Sequence, residues 1–91
     1  MGLVGFEPCW KFKSNTVRQQ LIHILGELHE AAEANHEGDQ EALAEEIADV
    51  MVACDTLLQV QLGMSNDEVR RLICKVNEKN QARGYHEREA D

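Results

Sequence analysis

The sequence lacks the features of several common protein classes. Its only proline is Pro8, so no later residue is kept out of a helix by a proline ring. Its three cysteines, Cys9, Cys54 and Cys74, are an odd number with no CxxC pair, which argues against a disulfide framework and against a zinc site. We therefore expect reduced thiols and a cytoplasmic location.

Long apolar runs and clustered positive charge are also missing. No stretch approaches the roughly 20 apolar residues that span a bilayer, and the N-terminus lacks the basic region of a signal peptide. The 91 residues carry 9 Lys and Arg against 17 Asp and Glu, a formal net charge of −8. This balance argues against binding to nucleic acid polymers and to anionic membranes, both of which need clustered cations. Because 43% of the residues are apolar, we expect a single small folded domain.

The sequence also lacks the motifs of phosphate-binding loops and of nucleophilic catalysis. The sequence has no glycine-rich phosphate loop and no Ser-His-Asp or Cys-His arrangement. It does contain a concentration of acid, since nine Asp and Glu residues and no Lys or Arg lie between Glu27 and Asp49. The negative charge is therefore a local feature of the middle of the chain.

Apolar periodicity and turn residues predict an all-α fold with three helices. The first helix is expected from Asn15 or Thr16 to His36, and Gly38 and Asp39 are expected to end it and to cap the next helix. Its core-facing stripe comprises Val17, Leu21, Ile24, Leu28 and Ala31.

The second and third helices follow from the same signals. The second is expected to run to about Leu62, where Gly63 ends it. The segment Ser65–Glu68 has the Ser-x-x-Glu form of a capping box, which opens a third helix that frays near Gly84. The third helix is expected to bury Val69, Leu72, Ile73 and Val76.

The short connection between the first two helices predicts that they form an antiparallel hairpin. Three helices with narrow apolar stripes close a core poorly, so we expect oligomerisation to complete a four-helix-type bundle. We assign residues 1–14 to an N-terminal arm, 15–85 to the helical domain and 86–91 to a C-terminal tail.

Two pairs of acids within the hairpin indicate a metal site. Glu27 and Glu30 form an ExxE pair on the first helix, and Glu46 and Asp49 form an ExxD pair on the second. Residues three apart share a helix face, so the two pairs can face each other beside the core. Carboxylates in this position repel one another unless protons or a hard cation neutralise them, and oxygen ligands favour Mg²⁺ or Mn²⁺ over zinc.

Spacing alone leaves a second interpretation of these acids open. Amphipathic helices rich in glutamate are common, and a solvated acidic face has the same pattern. We interpret Glu33, Glu37 and Glu41 in this way. Glu45 lies next to Glu46 but points about 100° away around the helix, which favours a surface or indirect role.

A line of cations follows in the third helix. Lys75, Lys79 and Arg83 are spaced four residues apart, with Asn80 adjacent, and they would neutralise a polyphosphate if this line faces the acidic site. A solvated face, or cations that complement the helix dipole, explains the same spacing. Trp10 is a candidate for stacking on a nucleobase, although sealing a subunit contact is a simpler role. The histidines show no metal-ligand spacing with cysteine and are assigned to the surface: His23, His29, His36 and His86.

These motifs resemble the signature of the MazG-like, all-α nucleoside triphosphate pyrophosphohydrolases. The resemblance begins in the stretch LGELHEAAEANHEGDQEALAEEIADV, where Glu27 and Glu30 match the second and third acids of the family's EExxE motif. Glu46 and Asp49 match its ExxD motif. The tail KVNEKNQARGY resembles the family's Lys-Asn-x-x-Arg-Gly ending through Lys79, Asn80, Arg83 and Gly84. The resemblance covers roughly Val17 to Tyr85.

This resemblance implies hydrolysis between the α- and β-phosphates of a nucleotide, giving the monophosphate and pyrophosphate. It implies that the four acids bind Mg²⁺, and that the chain assembles into homodimers or homotetramers. Small members of the family are often interpreted as house-cleaning enzymes that remove non-canonical or surplus deoxynucleotides. One position departs from the pattern: Gly26 replaces the first acid of EExxE, and Glu45 is a candidate substitute.

Two other functions stay open at this point. Phosphoribosyl-ATP pyrophosphohydrolase shares the fold and the ligand pattern of the family, but it would ignore simple deoxynucleotides. A non-enzymatic helical interaction module would use its acidic face to stay soluble or to bind a basic partner. Mg²⁺-dependent release of pyrophosphate over a nucleotide panel distinguishes the three functions.

Overall fold

The computed structural model describes residues 7–88, which are mostly helical. A 3-10 turn, Trp10–Phe12, precedes helix α1 (Val17–His36) and helix α2 (Gln40–Thr56). Helix α2 continues into a π-helical turn, Leu57–Gln61, and helix α3 follows at Asn66–Ala82. No strand occurs between residues 7 and 88, which confirms the prediction of an all-α fold.

Each α-helix begins at a side chain that satisfies backbone donors of its first turn. The hydroxyl of Thr16 and the carboxylate of Asp39 each accept a hydrogen bond from a backbone N–H of the helix that follows. Ser65 and Glu68 form the predicted reciprocal capping box. Gly38 has a φ of 76°, in the left-handed region that favours glycine, so the predicted turn between α1 and α2 is confirmed.

Helices α1 and α2 pack as a hairpin through small side chains and one amide. Ala31, Ala34 and Ala53 are 4%, 7% and 5% exposed. Gln20 is fully buried, and its Nε2 donates to the carbonyl oxygen of Ala53 at 3.1 Å, while its Oε1 accepts from Asn15 Nδ2 at 3.0 Å. Small residues at a contact let two helices approach closely, so larger side chains are left at the edges of the interface.

The predicted apolar stripe of α1 is wrong for three of its five members. Val17, Leu21 and Leu28 are 42%, 47% and 44% exposed, whereas Ala31 is buried. The buried face is centred near Gln20 instead, which is a rotation of roughly 60° around the helix. The difference arises because the Gln20 amide finds partners inside the hairpin and the bulky residues do not fit the close contact.

The displaced apolar residues form an exposed surface on one side of the hairpin. This apolar face comprises Leu21 and Leu28 of α1 together with Ile47 and Met51 of α2, which are 42% and 41% exposed. Leu21 and Leu28 are seven residues apart and share one side of α1, and Ile47 and Met51 are four residues apart and share one side of α2. None of the helices described between residues 7 and 88 has the length and apolarity that crossing a bilayer requires.

The last turn of the second helical segment is wider than predicted. The backbone N–H of Leu62 donates to the carbonyl oxygen of Leu57 at 2.9 Å, the i to i+5 pattern of a π-helix. Gly63 then adopts a φ of 67° and ends the segment, as predicted. The helical path therefore has the expected length, but its final residues are rotated relative to α2.

Helix α3 packs mainly against this π-helical turn. Val69 is 1% exposed, whereas Ile73 and Val76 are each 38% exposed. The prediction that α3 buries all four of its apolar residues is therefore wrong for the described chain. Beyond Val69, the apolar side of α3 is therefore partly exposed at Ile73 and Val76.

Candidate metal centre

Three of the four predicted carboxylates converge between α1 and α2. One oxygen each from Glu27, Glu46 and Asp49 lies within 4.8 Å of the others, and we refer to these residues as the acidic cluster. Glu27 belongs to α1, and its side chain is 18% exposed. Glu46 and Asp49 are one turn apart on α2 and share a face. The turn at Gly38 thus brings acids from two helices to one place.

Two oxygens of the acidic cluster are buried without a hydrogen-bond partner among residues 7–88, namely Oε2 of Glu27 and Oε2 of Glu46. A buried carboxylate oxygen without a partner is unfavourable, and a cation supplies what is missing. Mg²⁺ binds oxygen ligands at about 2.1 Å, so opposite ligands of one ion are about 4.2 Å apart. The three oxygens lie within 4.8 Å of one another, so small movements bring them to one ion, and carboxylate oxygens are ligands that suit Mg²⁺ or Mn²⁺.

Glu30 lies beside the acidic cluster rather than inside it. Its side chain is exposed, and its carboxyl group is near enough to raise the pKa of Glu46. Burial raises the pKa of Glu46 above its ordinary value of 4.5, and the neighbouring carboxyl groups, that of Glu30 first, raise it further. Crowded acids whose pKa is raised are typical of functional sites.

The raised pKa of Glu46 predicts opposite pH trends without and with metal. A carboxyl group whose pKa is raised by folding contributes stability below its unfolded value of 4.5, and this contribution is lost as the pH rises through the folded value. We therefore expect the Tm of the metal-free protein to fall above pH 4.5. The increase in Tm caused by Mg²⁺ should grow over the same range, because protons and the cation compete for the same oxygens. Thermal unfolding in EDTA and in Mg²⁺ measures both trends.

Two glutamine variants isolate Glu46 in this experiment. Glu46→Gln should flatten both trends, because the amide does not ionise and is a poorer ligand. Glu45→Gln removes an exposed acid one residue earlier and should leave both trends as in the wild type. Equal slopes for the wild type and Glu46→Gln would contradict the assignment.

A cavity of about 200 Å³ adjoins the acidic cluster. Its lining includes Glu27 and Asp49 of the cluster, together with Cys9 and Phe12 of the N-terminal arm. The remaining lining residues are His23, Val52, Ala53 and Thr56. Apolar walls thus meet a few convergent polar groups, which is the usual composition of a small-molecule site.

His23 belongs to this cavity, so its assignment to the surface was wrong. Its side chain is 31% exposed, and its Nε2 lies 3.6 Å from Oε1 of Glu27. Its ring packs on that of Phe12, with the centroids 4.6 Å apart. The i, i+4 spacing of His23 and Glu27 is the signal that predicts a shared face, and Thr56 carries a similar signal seven residues after Asp49. No local pattern links Phe12 to the site.

The predicted cationic line of α3 does not pair with the acidic cluster of its own chain. Lys75, Lys79 and Arg83 are exposed, and Asn80 is half-buried. None of the lysines and arginines within residues 7–88 forms an ion pair with the cluster or with Glu30. Arg71, four residues before Lys75, extends the line and is missing from the predicted set.

The two remaining predicted positions lie at the surface. Trp10 is 62% exposed and does not line the cavity, so its contact with a base stays a prediction. Gly26 is exposed, and a Cβ atom there would meet nothing within 4 Å, so no close approach requires glycine in place of the family's first acid. Glu45 is exposed and outside the acidic cluster.

Fold and site together define a class of protein, an all-α chain in which two antiparallel helices hold a carboxylate cluster beside a cavity. The family model of the MazG nucleotide pyrophosphohydrolase domain matches residues 15–86. This match covers most of the chain, and the chain belongs to that family. No curated protein and no solved structure matches it.

Proposed function

We propose that this chain is a Mg²⁺-dependent nucleoside triphosphate pyrophosphohydrolase, which converts a (d)NTP into the (d)NMP and pyrophosphate. The observation that carries the proposal is the acidic cluster. One oxygen from each of its three carboxylates lies within 4.8 Å of the others. Oε2 of Glu27 and Oε2 of Glu46 are buried without a hydrogen-bond partner among residues 7–88, and a cavity of about 200 Å³ adjoins the cluster. Such a cluster needs a cation, and a protein-bound Mg²⁺ readily accepts substrate phosphates as further ligands.

The carboxylates are proposed to have two roles, binding the metal and orienting the attacking water. Glu27, Glu46 and Asp49 are proposed to hold Mg²⁺ or Mn²⁺, with Glu30 as a fourth ligand. When bound, the cation neutralises phosphate oxygens and lowers the pKa of a coordinated water. Glu30 is exposed beside the cluster, a position from which a carboxylate can also orient the attacking water and accept its proton. The chemistry is otherwise positioning and electrostatic stabilisation.

The cavity beside the cluster is proposed to receive the nucleoside part. The phosphates would lie toward Glu27 and Asp49, and the base toward the packed rings of Phe12 and His23. The substrate class that the family resemblance implies is a non-canonical or surplus deoxynucleotide, in a house-cleaning role. All three cysteines are free thiols, which suits a reducing cytoplasmic location.

A second copy of the chain is proposed to complete the bundle and the site. The apolar face of the hairpin and the exposed apolar side of α3 are surfaces that a homodimer or homotetramer would bury. The cationic line has no partner on its own hairpin, while residues 27–49 carry nine acids and no base. Charge complementarity therefore favours Lys79, Asn80 and Arg83 of one copy reaching the acidic cluster of another.

A charge on the apolar face tests this assembly. Leu21→Glu is expected to shift the sedimentation coefficient of the protein from that of an oligomer toward that of a monomer, because the new carboxylate would be buried at the interface. Gln19→Glu is the matched control, since residue 19 is exposed on the other side of α1 and glutamate preserves the capping box with Thr16. A wild-type protein that sediments as a monomer at micromolar concentration would contradict the proposal.

The reaction products test the proposed function. In a panel of (d)NTPs with Mg²⁺, ³¹P NMR should show a monophosphate and pyrophosphate, and no diphosphate with inorganic phosphate. Hydrolysis of phosphoribosyl-ATP alone would assign the chain to that biosynthetic activity. A protein that hydrolyses nothing in the panel would instead fit the acidic interaction module.

A further inference from the structure

Two hydrogen bonds fasten the N-terminal arm to the hairpin. The backbone N–H of Cys9 donates to Oγ1 of Thr56 at 2.9 Å. At the other end of the same short segment, Nε2 of Gln61 donates to the carbonyl oxygen of Phe12, also at 2.9 Å. The partners are 47 and 49 residues apart in the sequence, so the position of segment 9–12 is set by tertiary contacts.

Thr56 uses its hydroxyl group fully. The residue is completely buried, and its Oγ1 donates to the carbonyl oxygen of Val52 at 2.8 Å. The proton is therefore committed to α2, which leaves a lone pair to accept the backbone N–H of Cys9. Without this acceptor, the N–H would be left without its partner in a partly buried position.

The π-helical turn brings Gln61 to the arm. Its wide hydrogen bonding, from Leu62 back to Leu57, rotates the last residues of the segment away from their α-helical positions. The Gln61 amide then reaches Phe12, although its own Oε1 is buried without a partner among the described residues. Single π-helical turns of this kind are frequent at functional sites.

The fastened segment is a wall of the cavity. Cys9 and Phe12 line the same space as Glu27 and Asp49. The ring of Phe12 lies against His23, which in turn lies 3.6 Å from Glu27. A displacement of the arm would therefore open the cavity at Cys9 and Phe12 and leave α1 and α2, which carry the acidic cluster, in place.

We propose that Thr56 and Gln61 are positioning residues that hold the arm as a wall around the nucleoside part of the substrate, an inference that rests on the proposed function. They act through Cys9 and Phe12 and do not touch the metal. Loss of either anchor should weaken nucleotide binding and reduce discrimination between bases. Binding of the metal alone should stay the same.

Thr56→Val removes the acceptor and keeps the shape of the side chain. We expect it to weaken the binding of α,β-imido deoxynucleoside triphosphates about tenfold, the effect of one buried hydrogen bond. The Kd for Mg²⁺ without nucleotide should change less than about twofold, because no ligand is altered. Thr56→Ser keeps the hydroxyl and should bind as the wild type does. Calorimetric titration measures both constants.

Trp10 reports the arm directly, because it is the only tryptophan and lies in the arm between Cys9 and Phe12, the residues that Thr56 and Gln61 hold. Its fluorescence anisotropy should fall in Thr56→Val and in Gln61→Met, and should be unchanged in Thr56→Ser. Gln81→Met, at an exposed position of α3, is the control for the second anchor. These measurements need no catalytic activity.

The outcomes separate the inference from the proposed function. A wild type that binds none of the analogues in Mg²⁺ would overturn both. A wild type that binds them, with Thr56→Val equally tight, would overturn only the role of the arm. Unchanged Trp10 anisotropy in both anchor variants would also overturn it, as would lower anisotropy with unchanged affinity. A variant that merely loses stability would show a lower Tm with wild-type affinity, and that result likewise counts against the inference.

Discussion

Glu46→Gln is expected to lower kcat by roughly three orders of magnitude, since several kcal/mol of transition-state stabilisation come from a catalytic metal and about 4 kcal/mol corresponds to a thousandfold in rate. Glu46 belongs to the acidic cluster, its Oε2 is buried without a hydrogen-bond partner among residues 7–88, and its pKa is raised by burial and by its acidic neighbours. The amide has the size of the acid but no negative charge for a cation. Steady-state hydrolysis of the preferred nucleotide measures the effect.

Glu45→Gln is the matched control for this variant. It changes the same functional group one residue earlier, on an exposed face of α2 outside the acidic cluster. We expect its kcat to remain within about twofold of the wild type, as for most exposed substitutions. Both variants should keep the helical circular dichroism spectrum. The cluster would not be the catalytic centre if Glu46→Gln retained a tenth of the wild-type kcat, or if Glu45→Gln lowered kcat as far as Glu46→Gln does.

Mixing two inactive variants is expected to restore about a quarter of the wild-type activity. One variant is Glu46→Gln, with an intact α3, and the other is the double variant Lys79→Ala/Arg83→Ala, with an intact acidic cluster. If the cations act on the hairpin of another copy, each mixed dimer has one working site of two, and half of the dimers are mixed at random. Co-refolding from urea gives this mixture.

The structural reason for this expectation is the position of α3. It packs on the π-helical turn and leaves Ile73 and Val76 at 38% exposure, so residues 7–88 leave part of its apolar side uncovered. On a helical wheel, Asn80 and Arg83 lie on this same side and Lys79 lies at its edge, so a second copy that covers the apolar side would also contact these three residues. Residues 27–49 of the hairpin carry nine acids and no Lys or Arg, a charge that complements these cations.

Three outcomes would contradict action across subunits. The mixture would stay inactive if the cations serve their own hairpin. The double variant would be active alone if the cations are dispensable. Arg70→Ala is the control: it removes an exposed cation that pairs with Asp67 and does not belong to the cationic line, and it should be active in any case. A wild-type monomer would exclude exchange altogether.

Local signals predicted most of the fold. The capping box of Ser65 and Glu68, the cap at Asp39 and the turn at Gly38 depend on a few adjacent residues, so the sequence carries them in full. The facing of the two acid pairs followed from helical spacing and a short connection. Three of those four acids converge in the structure.

What the sequence could not predict depends on contacts over long distances. The rotation of α1 follows from the Gln20 amide, whose partner in Ala53 is 33 residues away. The wall formed by Cys9 and Phe12 depends on Thr56 and Gln61 at the far end of the hairpin. The π-helical turn has no sequence signature, and the exposure of Ile73 and Val76 depends on how α3 packs against that turn.

Release of pyrophosphate from a panel of canonical and modified (d)NTPs, with and without Mg²⁺, tests the central claim most directly. We predict release from at least one nucleotide that requires Mg²⁺ or Mn²⁺, stops in EDTA and is absent in Glu46→Gln. Release that continues in EDTA, or that is as fast in Glu46→Gln as in the wild type, would contradict a metal centre built on Glu27, Glu46 and Asp49. No release from any nucleotide would contradict the enzyme itself.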